Sequence, residues 1–151
     1  ARTGALVWKA DGLPKAGFGT VRAPVVLYKD KVIVPISASG VATGMNATYE
    51  CCSGHGVVVA LSAKDGARLW EYHTMEMATY NGQVSPTGVR QKGPSGAPIW
   101  TTPTIDAKRN RVIVTTGENT SWPATNTSDA VIAIDLDTGK EVWVFQAMAS
   151  D

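Results

Sequence analysis

The chain has 151 residues, and its 14 basic and 13 acidic side chains nearly cancel. That balance leaves no cationic footprint for nucleic acid or for an anionic membrane surface, and no apolar run approaches the roughly 18 residues of a membrane span. The two cysteines, Cys51 and Cys52, are adjacent. They therefore lack the spacer of a CxxC metal pair, and no haem-attachment CxxCH occurs.

In chain order, residues 1–8, with TGALVW at 3–8, read as the last strand of a hairpin unit whose first half lies earlier. Residues 9–21, with Gly12, Pro14, Gly17 and Gly19, read as a connecting loop. Residues 23–28 and 31–36 are β-rich and flank a Lys29-Asp30 turn, which predicts a buried strand pair. A long, small-residue insertion follows at 37–56 and carries the cysteine pair. Residues 57–63 and 67–72 then predict two more strands around Gly66. A Gly- and Pro-bearing connection covers 73–97; its His73, Met75 and Met77 lack the further soft ligand that a metal site requires.

The pattern then repeats. Strands are predicted at 99–105 and 111–116 around Lys108-Arg109-Asn110, an insertion at 117–129, and a last hairpin at 131–145. That hairpin, VIAIDLDTGKEVWVF, repeats VVALSAKDGARLW at 58–70: Gly139 and Gly66 are each followed four residues later by a tryptophan, Trp143 and Trp70. Gly4 and Trp8 give the spacing a third time. A glycine at such a turn supplies the positive φ that other residues resist. A repeated hairpin that cannot bury its own face must stack on its copies. The fold class is therefore all-β: antiparallel four-stranded blades of a β-propeller, with about two blades present. The expected division is 1–22 as the end of a preceding blade and its linker, 23–72 as a blade, 73–97 as a connection, 98–146 as a second blade, and 147–151 as the start of the next connection. Both insertions follow the second strand of their blade, so both emerge on one face of the ring, where chemistry is expected.

For Cys51 and Cys52 two states stand open: two reduced, independently packed thiols, or a vicinal disulfide, which needs an oxidising compartment. Three Asn-x-Ser/Thr triplets at Asn46, Asn119 and Asn126 are read as chance products of Asn- and Thr-rich loops.

Four segments carry a resemblance. They are the ALSAKDGARLW and AIDLDTGKEVW repeats, Tyr49-Glu50-Cys51-Cys52 followed by GHGVVVAL, GPSGAPIWTTPTID at 93–106, and Thr115-Thr116-Gly117-Glu118-Asn119 with the loop after it. In this order the chain resembles the quinoprotein alcohol dehydrogenases, propellers that use pyrroloquinoline quinone (PQQ) and calcium, and within them the branch of polyvinyl-alcohol dehydrogenases. The resemblance implies oxidation of an alcohol, polymeric or secondary, with electrons passed to a cytochrome c-type acceptor. It implies a periplasmic location, with the remaining blades of the same protein completing the ring.

The resemblance also assigns residues. Trp100 takes the place of the tryptophan that lies against the quinone, for which a broad aromatic face is the natural partner. Ser37, Ser39 and the Cys51–Cys52 ring, which a disulfide would close, are expected at the cofactor. Glu118 and Asn119 are expected at calcium, a hard cation that takes oxygen ligands. The family glutamate expected soon after the serine pair is missing, since no acid follows Ser39 until Glu50. Asp151 is either the first acid of the family's catalytic aspartate segment or the residue just before the base. A non-catalytic ring of the same repeats, binding peptides along strand edges, is the alternative; it requires neither Trp100 nor the cysteine pair.

Overall fold

The computed structural model describes residues 3–14, 19–38 and 40–149. The elements are β1 (Val26–Tyr28), β2 (Lys31–Ile36), a short helix α1 (Gly40–Gly44), β3 (Val57–Ser62), β4 (Arg68–His73), β5 (Thr79–Val84) and β6 (Arg90–Gly93). They continue as β7 (Ser95–Gly96), β8 (Thr104–Asp106), β9 (Arg111–Thr115), β10 (Asn119–Ser121), β11 (Ala130–Asp135) and β12 (Glu141–Gln146). Two four-stranded sheets, β1-β2-β3-β4 and β8-β9-β11-β12, are antiparallel throughout and meander in chain order. Two small ribbons, β5-β6 and β7-β10, stand outside them. The all-β, blade-built architecture is the one the repeat predicts. No helix is long and apolar enough to cross a membrane among the described residues.

Three strands depart from the sequence expectation. The strands begin only at Val26 rather than at 23, and at Thr104 rather than at 99. Pro24 and Pro103 explain both delays, because proline offers no N–H to a ladder and starts or borders strands rather than continuing them. Residues 3–8 form no strand, since no neighbouring strand among the described residues pairs with them. The connection at 73–97 is also more structured than expected, containing the β5-β6 ribbon.

The sheets stack face to face. Ile33, Val58, Ala60, Trp70 and Tyr72 of the first share one core with Val112, Val114, Ile132 and Ile134 of the second. The other face of the first sheet buries Val34, Ile36, Val57, Val59 and Leu61 under Trp8 and Leu13. The repeat supplies the register of this stacking. Trp70 is buried, and its indole N–H donates to the Leu136 carbonyl at 3.0 Å. Its ring lies on Gly139, where a Cβ would come within 2.7 Å of Trp70. Trp8 repeats the arrangement one unit earlier: its N–H donates to the Ala63 carbonyl at 3.0 Å, and a Cβ on Gly66 would come within 2.6 Å of its ring. Gly66 and Gly139 hold φ of 75° and 71°. Each glycine thus closes a turn and also leaves the flat surface on which the preceding tryptophan rests. The Tyr72 hydroxyl adds an inter-sheet bond to the Glu141 carboxylate at 2.6 Å.

Candidate functional site

The insertions at 37–56 and 117–129 meet at a cleft of about 320 Å³. The first contributes Ser37, Ala38, and Ala42 and Met45 from α1 and the turn after it; Glu118 and Thr120 come from the second. Gly96, Pro98 and Trp100, from the segment between the sheets, complete one wall, and Arg22 reaches in from the loop before β1. Arg22 is placed there by a backbone bridge two residues earlier, in which Thr20 and Ser37 exchange N–H···O bonds of 2.9 Å.

Trp100 is half exposed and presents its indole to this cleft. Its outer ring rests on Gly117, where a Cβ would come within 2.7 Å of it. Two backbone bonds fix the pair: Gly117 N–H donates to Pro98 O at 3.1 Å, and Ala97 N–H to Glu118 O at 2.8 Å. Gly96 is drawn so close to the same segment that its Cβ would come 2.6 Å from the Asn119 Cα. The neck of the second insertion is closed by Thr116, whose hydroxyl donates to Thr127 O at 2.6 Å. Trp100 and Glu118 are thereby carried on one rigid backbone pair, as a preorganised site requires.

The Asn119 side chain is hydrogen-bonded within its own insertion. Its amide donates to the Ser128 hydroxyl at 3.0 Å and its carbonyl accepts from Thr125 at 3.3 Å, so the side chain knits its own loop. Glu50, which could have stood in for the missing family glutamate, is engaged elsewhere. It pairs with Lys92 at 2.9 Å and accepts the Tyr80 hydroxyl at 2.8 Å. The hydrogen bond from Lys92, then that from Tyr80, holds its carboxyl below the ordinary carboxylate range. No group of three His, Cys, Asp or Glu side chains converges as a metal site among the described residues. Ser39 and Asp151 lie outside the described residues.

Cys51 and Cys52 are joined as a vicinal disulfide. The ring is gripped by β6, where Cys52 N–H donates to Lys92 O at 3.1 Å and Lys92 N–H to Cys51 O at 2.8 Å. Cys51 Sγ stands against Gly44, at the end of the helix that borders the cleft. Neither cysteine is among the cleft-lining residues, so the ring meets the cleft through the end of that helix. Ser37 is fully buried at the cleft's edge, its hydroxyl turned toward Ala38 O at 3.3 Å. His73, Met75 and Met77 do not form one cluster: Met75 is buried, Met77 is exposed, and His73 turns to His55.

Sequence reasoning missed two residues. Arg22 sits in a loop with no motif around it. His55 is wholly buried, with Nε2 2.7 Å from His73 Nδ1 and its own Nδ1 without a partner. Nothing local marks either one, because each acquires its setting from chain brought near by the sheets.

The chain belongs to the family described as glucose/ethanol/alcohol dehydrogenase, beta-propeller domain, whose model matches residues 1–151. It is 34% identical over 151 residues to a polyvinylalcohol dehydrogenase of a Pseudomonas species and 35% identical to that of Sphingopyxis sp. strain 113P3. All of this chain is covered in each comparison, but only 24% and 23% of those proteins. A quinohemoprotein alcohol dehydrogenase from Comamonas testosteroni is 25% identical over 172 residues. Its likeness extends to fold: a crystal structure of that enzyme aligns over 89% of this chain with a TM-score of 0.58. A europium-containing methanol dehydrogenase aligns over 96% with a TM-score of 0.63.

Proposed function

We propose that the chain is part of a PQQ-dependent alcohol dehydrogenase in which the cleft beside Trp100 is one wall of the cofactor site. The observation that carries this reading is the placement of Trp100: a half-exposed indole held on Gly117 between two insertions, while Trp8 and Trp70 are spent on packing. PQQ, when bound, supplies a quinone that accepts two electrons as an alcohol is oxidised to a carbonyl.

The residues present suit that group. Trp100 offers a broad apolar face to a planar ring system, and Arg22 a permanent cation suited to a carboxylate. Ser37 and Thr120 border the edge, with the Ser37 hydroxyl on Ala38 O at 3.3 Å and the Thr120 hydroxyl 2.7 Å from Ser95 Oγ. The fit to calcium is partial. Glu118 is the acidic side chain that lines the cleft, and a cation wanting six to eight oxygens draws the rest from carbonyls, hydroxyls, water or other blades. Asn119 stands beside Glu118 as the second proposed oxygen ligand, its side chain also tying its own loop together. Asp151 remains the proposed base for the substrate hydroxyl. The 34–35% identity to polyvinylalcohol dehydrogenases supports a polymeric or secondary alcohol as substrate. A cytochrome c-type protein as acceptor and a periplasmic location accord with that reading, and the location also with the disulfide.

The test uses the full-length protein, loaded with PQQ and calcium, with reduction of an artificial dye followed as alcohols are added. Cofactor-dependent dye reduction that falls in a Trp100→Ala variant is the expected result. Activity that ignores both the cofactor and the substitution would overturn the reading.

A further inference from the structure

The β5-β6 ribbon carries the chain's single Asn-Gly pair, Asn81-Gly82. The ribbon is a strap between the two insertions. Thr87 donates to Ala47 O at 3.1 Å, Lys92 pairs with Glu50 and the cysteine backbone, and Asn81 Nδ2 donates to the Trp122 carbonyl at 3.1 Å. Gly93 backs the same contact, because a Cβ there would collide with the Trp122 carbonyl.

We propose that Asn81 is a site of intramolecular deamidation, and that its conversion releases the strap from the insertion at 117–129. Three features of the site favour the reaction. The ladder pairs Tyr80 with Lys92 and Val84 with Arg90, so Asn81, Gly82 and Gln83 bulge opposite Gln91 alone. Gly82 holds φ of 83° and brings no Cβ to the junction, and nothing lies within 4 Å of where one would stand. The Gln83 N–H donates to Asn81 Oδ1 at 3.0 Å, which folds the side chain back over its own backbone and polarises the Cγ–Oδ1 bond.

The chemistry needs only solvent. The Gly82 amide gives up its proton to water or hydroxide, its nitrogen bonds to Asn81 Cγ, and the Cγ–Nδ2 bond breaks with loss of ammonia. Water then opens the five-membered imide at either carbonyl, leaving aspartate or isoaspartate. Either product replaces an N–H donor by a carboxylate facing the Trp122 carbonyl, and isoaspartate also lengthens the backbone within the bulge. A bond to Trp122 becomes a repulsion, at the insertion that carries Glu118.

This inference is independent of the cofactor reading, and its test does not use activity. The full-length protein is aged at mildly alkaline pH beside a synthetic peptide of residues 76–88, and tryptic peptide 69–90 is weighed. The expected result is a gain of about 1 Da at Asn81 in both, as two isomers, with none at this position in an Asn81→Gln variant. The Asn81→Asp variant should exchange its amides at 119–122 several-fold faster than wild type. Conversion of the peptide without conversion of the protein would overturn the site. Unchanged exchange in both the aged protein and the Asn81→Asp variant would overturn the strap.

Discussion

At the scale of single residues, His55 couples the fold to pH. It is fully buried between the disulfide and β3; the ionisable side chain beside it is His73, which reaches Glu71 at 3.4 Å, and Glu71 in turn pairs with Arg68 at 2.7 Å. Burial first, and the neighbouring His73 second, push His55 down to about 4 from the ordinary 6.5. The unfolded chain therefore binds the extra proton more readily than the folded one. The stabilisation is fully present above about pH 6.5 and is lost as pH falls toward about 4, on the order of 2–3 kcal/mol in all. Urea unfolding midpoints across that window should fall with pH in the wild type. The His55→Gln variant should show a clearly shallower dependence, and an equal slope would refute the assignment. Tyr72 moves the opposite way, since burial and then Glu141 push its phenol up, so it stays a donor to that carboxylate.

At the scale of the element, the repeated hairpin is a turn and a docking surface at once. Gly4 and Gly139 hold the same φ, 70° and 71°, but only Gly139 has an indole against it. Gly4→Ala should cost the left-handed backbone penalty alone, about 1–2 kcal/mol at most. Gly139→Ala should cost at least about 1 kcal/mol more, because Trp70 must leave its seat, and a shift in tryptophan emission should accompany it. Equal losses would mean that the contact contributes nothing. This element was legible in the sequence because its signal is local: a glycine and a tryptophan four residues apart, three times over. The first strands were less legible, since the effect of Pro24 and Pro103 on pairing outweighed the β-rich residues around them. Of the site, Trp100 and Glu118 were reached only through resemblance, and they do share one cleft. Asn119 and the cysteine ring were read from the same motifs, but their orientation depends on Ser128 and Lys92, which no spacing within the motif reveals.

At the scale of the whole molecule, the chain spans about a quarter of the polyvinylalcohol dehydrogenases it matches. Trp143 occupies the place of Trp70 in its own repeat yet is 39% exposed, with no further glycine seat among the described residues. Trp70→Ala should therefore cost about 3–5 kcal/mol in this chain, and Trp143→Ala about 1 kcal/mol or less. In a longer protein that supplies the next hairpin, the second cost should rise toward the first. Parallel chemical denaturation of the two lengths decides it; a Trp143 effect that is the same in both would contradict blade-on-blade docking.

The central claim is that Trp100 forms a wall of a PQQ site. Equilibrium dialysis of PQQ, with calcium present, against the full-length protein and its Trp100→Ala variant tests it most directly. Loss of the stacked face should weaken binding by on the order of 1–3 kcal/mol while the fold is retained. Equal affinity in the two proteins, with both folded, would contradict the account.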